Sequence, residues 1–149
     1  MLPGIESLVP HRGRMLLVDR VVSHERDAVV CELAVRDDPL FCRSGRVGAW
    51  LGIEYMAQTV AALIGLRARE SGEPVKIGLL LGARRYTAHV PDFAPGDCLR
   101  VEASQVFQGD NGLAAFDARV LRDGNLVAEA TLSAYQPADV DAFLKGLNE

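Results

Sequence analysis

Apolar and polar residues change rhythm several times along the chain, and each rhythm predicts an element. Residues 1–13 are irregular, with Pro3, Gly4 and Pro10 blocking a long helix. Met15-Leu16-Leu17-Val18 leads into Asp19-Arg20-Val21-Val22 and predicts a first strand. Ala28 to Val35 alternates, placing Val29, Cys31, Leu33 and Val35 on one face of a second strand. Asp37-Asp38-Pro39 ends it, and residues 40–46 predict a loop. The alternation then disappears. Val47 to Leu66 is almost continuously apolar and predicts a helix running to about Glu70. Ser71-Gly72-Glu73-Pro74 stops it, since Gly72 suits a left-handed cap and Pro74 cannot continue.

Alternation returns in the second half. Lys76 to Val90 predicts one or two strands, closed by Pro91 and Pro95-Gly96-Asp97. Leu99, Val101 and Ala103 alternate with Arg100, Glu102 and Ser104. Asp110-Asn111-Gly112 predicts a tight type I′ hairpin, whose central residues both need positive φ. Ala114, Phe116, Ala118 and Val120 share a face in the next strand, and Asp123-Gly124-Asn125 supplies a second turn. Leu126, Ala128, Ala130 and Leu132 alternate in a last strand, and the tail from Pro137 to Glu149 predicts a short helix. One helix covers only one face of such a meander, so the sheet is expected to curl around it in a single α+β domain over 1–149. Gly48, Gly52, Ala57, Ala61, Ala62 and Gly65 are the small residues that close packing of this helix requires.

The 149 residues carry 16 Lys+Arg against 20 Asp+Glu, a net charge of −4, which argues against nucleic-acid binding. Near-half apolar content, 49%, excludes intrinsic disorder. The three cysteines, Cys31, Cys42 and Cys98, are far apart and odd in number, which excludes a disulfide scaffold and suits a reducing compartment. The N-terminus lacks the pattern of a signal peptide, so the protein is expected in the cytoplasm. Val47 to Leu66, about 20 residues, is long enough to span a bilayer. Glu54 and Gln58 within it argue for a buried helix instead, because a mid-membrane carboxylate costs roughly 2.5–3.5 kcal/mol.

Glu54 is the chemically informative residue. It follows Trp50 by four and precedes Gln58 by four, so the three line one helix stripe. Enclosed among apolar residues, it is either a carboxyl satisfied by Gln58 or an arginine, or one poised to donate or accept a proton.

Three motifs then point to a family. His11-Arg12 followed by Met15-Leu16-Leu17-Val18-Asp19-Arg20-Val21 resembles the opening of the FabZ-type β-hydroxyacyl-acyl-carrier-protein dehydratases. Leu51-Gly52-Ile53-Glu54-Tyr55-Met56-Ala57-Gln58 resembles their helix motif, and Pro95-Gly96-Asp97 matches the turn before their later strands. The resemblance implies a hotdog fold, an antiparallel sheet wrapped around one long central helix, dimeric, with active sites between protomers. The chain departs from the family where its catalytic histidine belongs. Phe41 to Ala49 is shorter than the family's histidine-bearing segment, and no histidine lies between His24 and His89. Gly78-Leu79-Leu80-Leu81-Gly82-Ala83-Arg84-Arg85-Tyr86 and Ala88-His89-Val90-Pro91 resemble a divergent branch, the ApeP-like dehydratases of aryl polyene biosynthesis.

Dehydration of a 3-hydroxyacyl thioester needs a base for the α-proton, an acid for the departing hydroxyl and donors for the thioester oxygen. By the resemblance Glu54 takes the hydroxyl. Gly48, Ala49 and Trp50, at the expected helix N-terminus, would offer backbone N–H groups to the carbonyl, and Gln58 would line the substrate site. His11, in a Pro-bounded loop, is the first candidate for the base, with a structural role as its alternative, since by the resemblance FabZ proteins carry this histidine beside their catalytic one. His89 follows, with an ordinary surface histidine as its alternative, and His24 is set aside. Arg43 and Arg46 flank Cys42 and would lower its thiol pKa, although no base partner is evident. Neither a metal nor a cofactor is expected, since ligand spacings and phosphate loops are lacking. Arginines 43, 46, 67, 69, 84 and 85 are solvated surface by default, and would suit the acidic surface and phosphopantetheine phosphate of an acyl carrier protein if several converge. The expected function is therefore a dehydratase acting on a carrier-bound 3-hydroxyacyl group, as a homodimer or a heterodimer with a related hotdog protein. A hotdog thioesterase and a non-catalytic partner subunit are the alternatives.

Overall fold

The computed structural model describes residues 2–72 and 79–135. Two 3-10 turns, Ile5–Ser7 and Gly13–Met15, precede β1 (Arg20–Glu25) and β2 (Ala28–Ala34). A short hairpin, β3 (Cys42–Arg43) and β4 (Arg46–Gly48), leads through a 3-10 turn, Ala49–Leu51, into α1 (Gly52–Glu70). Then come β5 (Leu79–Ala88), β6 (Asp92–Phe93), β7 (Cys98–Gln108), β8 (Leu113–Arg122) and β9 (Asn125–Tyr135). Six strands form an antiparallel sheet in the order β1-β2-β7-β8-β9-β5, while β3, β4 and β6 form a smaller one. This is an α+β antiparallel sheet with one long central helix, as the resemblance implies.

Register explains the core. Cys31 pairs with Val101 and Val101 with Val120, while Val29 pairs with Ala103 and Ala103 with Ala118. The alternating apolar positions of three strands thereby fall on one face, and all six residues are buried. Against that face α1 buries Tyr55, Met56, Val60, Leu63 and Leu66. Truncating Leu63 or Phe116 to alanine there costs about 3–5 kcal/mol. Gly65 lets the N-terminal segment cross close by, since a Cβ would strike the backbone carbonyl of Leu8. Ala49–Glu70 is long and apolar enough to cross a membrane, and 67% of its apolar window is buried inside the fold.

Several expectations need correction. The first strand begins at Arg20, because the N–H groups of Leu17 and Val18 are taken by the side chain of Gln58 and not by a neighbouring strand. Residues 40–46 hold a hairpin with a type I′ turn, Ser44 and Gly45 having φ of 52° and 73°. Val47 and Gly48 pair with Phe93 and Asp92, so the α-helix starts at Gly52. Glu54 therefore sits in the first helical turn, and not midway along the helix. The helix is also not enclosed all round: Ile53, Ala57, Ala61 and Ile64 form a half-buried stripe along one side.

Of the two predicted turns, Asp123-Gly124 has the type I′ geometry, with φ of 53° and 80°. In the other, only Gly112 has positive φ. A three-residue loop closes there, with the Gly109 N–H donating to the Leu113 carbonyl. Gly72 caps the helix at φ 69°. Pro74, the start of the Lys76–Val90 strand and the predicted tail helix lie outside the described residues.

Candidate active site

The site is organised by Gln58, whose side chain is completely buried. Its Oε1 accepts from the N–H groups of Leu17 at 2.9 Å and Val18 at 3.2 Å. Its Nε2 donates to the Met15 carbonyl at 2.6 Å and to Glu54 Oε1 at 3.0 Å. Both amide hydrogens and both oxygen lone pairs are thus in use. Gln58 is a brace that ties the N-terminal segment to the helix, its polar atoms committed within the protein at the place where the sequence reading expects a substrate contact.

The same brace brings His11 to Glu54. Arg12 Nη1 donates to the carbonyls of Val9 and His11, folding the chain back ahead of the Gly13–Met15 turn. His11 Nε2 then lies 3.5 Å from Glu54 Oε1, with side-chain exposures of 26% and 36%. The separation exceeds a direct hydrogen bond and closes to one with a small shift. His11 Nδ1, on the inner side of the ring, is buried and has no hydrogen-bond partner among the described residues. Glu54 is partly open to solvent, and not the enclosed carboxyl that the apolar run suggests. A histidine and a carboxylate in close approach, both partly open to solvent, are what the arrangement offers.

At the helix entry Trp50 is 63% exposed, its indole filling the space where a Gly48 Cβ would stand. Ala49 is buried, and its N–H donates to the Pro91 carbonyl at 3.1 Å. Its carbonyl accepts from the Tyr86 hydroxyl. The Ala49 N–H, expected to face a thioester oxygen, is thus engaged by Pro91. The opening N–H groups of the helical run move inward, to Trp50 and Leu51. Gly48, paired with Asp92 in β4, belongs to a strand and not to the helix N-terminus. Tyr86 was not legible as a site neighbour. A bulge in β5, where Arg85 has φ 56°, brings its hydroxyl to where a Gly52 Cβ would be.

The other histidines lie elsewhere. His89 Nε2 is 2.8 Å from Glu129 on the exposed face, and His24 lies 3.8 Å from Glu70. Burial pushes the Cys42 thiol up, with Asp37 adding to the shift, so the lowering expected from Arg43 and Arg46 does not occur. Arg67 and Arg46 are engaged by Asp27 at 2.7 Å and Asp92 at 3.5 Å.

Comparison with known proteins then decides the family. The model of the ApeP-like family, ApeP dehydratase, matches residues 3–145. The chain belongs to the ApeP-like dehydratase family. Among curated relatives are 3-hydroxyacyl-[acyl-carrier-protein] dehydratases FabZ. That of Syntrophotalea carbinolica is 32% identical over 87% of this chain and 90% of the relative. That of Anaeromyxobacter sp. (strain K) is 35% identical over 88% and 86%. Among solved structures, the dehydratase heterocomplex ApeI:P from Xenorhabdus doucetiae matches with a TM-score of 0.90 at 25% identity, over the whole of both chains. A hypothetical thioesterase with coenzyme A from Streptococcus pneumoniae TIGR4 matches at a TM-score of 0.61 and 14% identity, covering 78% and 84%, a likeness of fold.

Within this member of the family, two motif residues are structural. Asp97 Oδ2 accepts from the Ala94 N–H at 3.0 Å and from Arg122 at 3.1 Å, closing the turn in which Gly96 has φ 90°. Asp19 Oδ2 accepts from the Ala34 N–H at 2.8 Å, and its Oδ1 from Arg36 at 2.7 Å. His11, Glu54 and Gln58 are the motif residues that meet.

Proposed function

We propose that the chain dehydrates a 3-hydroxyacyl thioester carried on an acyl carrier protein, with Glu54 and His11 as its acid–base pair. The observation that carries the reading is the 3.5 Å approach of His11 Nε2 to Glu54 Oε1, in a chain with no other histidine before His89 except His24. Two groups this close stand on one side of the C2–C3 bond. His11 takes the C2 proton, the electron pair forms the C2–C3 double bond, and Glu54 protonates the departing C3 hydroxyl, which leaves as water. The helix entry at Trp50 and Leu51 faces the charge that develops on the thioester oxygen.

One observation favours a second assignment for His11. To receive a proton at Nε2 the ring must carry its other hydrogen on Nδ1, which is buried without a partner among the described residues. With the hydrogen on Nε2, His11 instead donates toward Glu54 and holds it, and Glu54 moves both protons through a water. The open apolar stripe Ile53-Ala57-Ala61-Ile64 supports a second hotdog subunit packed along α1. The free cysteines suit a reducing cytoplasm.

The test is an assay of a purified chain, alone and co-expressed with hotdog proteins encoded beside it, on a 3-hydroxyacyl carrier substrate. Enoyl product is expected, lost in Glu54→Gln. Release of free thiol identifies a thioesterase. Unchanged turnover of a reconstituted complex in Glu54→Gln identifies a non-catalytic subunit. His11→Ala abolishes turnover if His11 is the base. If it holds Glu54, His11→Asn keeps measurable turnover with a shifted pH profile.

A further inference from the structure

The β3–β4 hairpin carries an arrangement that the fold does not require. Arg43 and Arg46 stand directly opposite in register, and like charges in that relation destabilise a two-stranded ribbon. Asp92 neutralises Arg46 at 3.5 Å, whereas Arg43 meets no carboxylate among the described residues. The turn between them is tight, and it places Ser44, a non-glycine residue, in the left-handed region at φ 52°. Its base is anchored: Val47 of β4 is buried, and so is Phe93 of β6, with which it pairs. Both arginines are exposed. The result is a rigid tip that presents two guanidinium groups to solvent.

That tip stands just ahead of the reacting groups. From Arg46 to Glu54 the backbone runs at most about 20 Å through β4, the 3-10 turn and the first helical turn. Exposed Trp50 lies between them along this path. We propose that Arg43 and Arg46 bind the phosphodiester at the root of the pantetheine arm that delivers the thioester to Glu54. The inference rests on the proposed carrier-bound substrate and names the part of the carrier that this chain grips. Two guanidinium forks match phosphate oxygens, and an anion between them supplies the counter-charge that Arg43 lacks while Arg46 keeps Asp92 on its other side. Trp50 offers its ring to the uncharged middle of the arm.

Binding is measured by calorimetry, on the chain in its natural assembly, with three probes: holo acyl carrier protein, the same carrier in its apo form, and coenzyme A. For holo carrier and coenzyme A, which share the phosphate-bearing arm, Arg43→Ala/Arg46→Ala is expected to raise Kd about tenfold or more. Apo carrier affinity should stay within about twofold, and Arg26→Ala, an exposed arginine in the turn between β1 and β2, should leave all three at wild-type values. Wild-type affinity of the double variant for holo carrier and coenzyme A overturns the proposal. So does an equal loss on apo carrier, which assigns the arginines to the protein surface of the carrier. Turnover of an N-acetylcysteamine thioester, which has no phosphate, should be unchanged in the double variant. If the wild type forms no enoyl product from any thioester yet loses coenzyme A binding in the double variant, the dehydratase reading fails and the phosphate site stands.

Discussion

Gln58→Leu isolates the brace on which the site depends. Leucine fills nearly the same volume but removes both hydrogen bonds to the Leu17 and Val18 N–H groups and both amide donations, to Met15 and Glu54. Two buried N–H groups are then left without partners, at roughly 1–3 kcal/mol each, and the part-buried Met15 carbonyl loses its donor. Allowing for partial relaxation and the long Val18 bond, the loss is roughly 3–6 kcal/mol, against a typical domain stability of about 5–15 kcal/mol. Near 150 residues this lowers Tm by roughly 10–20 °C. Gln58→Glu keeps an acceptor for the two N–H groups but places a second carboxylate beside Glu54 and loses the donors. It is expected to lose less stability, about 2–3 kcal/mol, while stopping turnover. Urea denaturation gives the free energies, and amide exchange at Leu17 and Val18 shows whether the clamp is where the loss arises. The reasoning is refuted if Gln58→Leu costs under about 1 kcal/mol and those two amides stay protected.

Asp38 is held down to about 2 by hydrogen bonds from Arg14 and then from the Leu40 N–H. Its folded value lies below the ordinary 3.8, so this contribution is complete above pH 4 and is lost as pH falls toward 2; Arg14→Ala should flatten the stability profile in that window. Gly52→Ala drives a methyl into the Tyr86 hydroxyl and should cost about 1–3 kcal/mol. Tyr86→Phe removes that oxygen, so the double variant should lose at least about 0.5 kcal/mol less than the two singles added together. Gly65→Ala meets the Leu8 backbone, which cannot rotate away, and should cost more than Gly72→Ala, where positive φ alone costs about 1 kcal/mol. Chemical denaturation of the two variants decides the order.

What could be read from the chain follows from where its hydrogen bonds go. β2, β7 and β8 alternate cleanly because both their neighbours are strands, and the apolar face of each was visible at Val29-Cys31-Leu33, Leu99-Val101-Ala103 and Ala114-Phe116-Ala118. Leu16-Leu17-Val18 looks equally strand-like, but its Leu16 donor closes the turn onto Gly13 and its Leu17 and Val18 donors are spent on an amide about forty residues away. No local pattern carries that information. The apolar run from Val47 likewise could not show its division between a strand and a helix. β-Pairing of Val47 with Cys42 and Phe93 draws on two segments remote from the helix. Of the two hairpin signals, Asp123-Gly124 reached the geometry that Asp110-Asn111-Gly112 promised, because the bulge between Gln105 and Phe107 shifts the register approaching the second loop.

The displacement of Glu54 to the first helical turn changes the chemistry as well as the address. Midway along a buried helix, a carboxyl would be reached only through a channel and would need an internal cation. In the first turn it stands beside the exposed Trp50, and the chain passing behind it, His11 to Val18, is the segment that Gln58 grips. The motif spacing of four between Glu54 and Gln58 thus has a physical reason. One helical turn stacks the two side chains, so a single amide can orient the carboxylate and fix the loop that carries its histidine. The family histidine's usual place is occupied here by a hairpin whose backbone is fully committed to β4 and β6. That hairpin carries no histidine, so under the proposed function the base comes from outside it. Within this chain His11 is the histidine that the fold brings to the carboxylate, and any other would have to arrive on a second subunit.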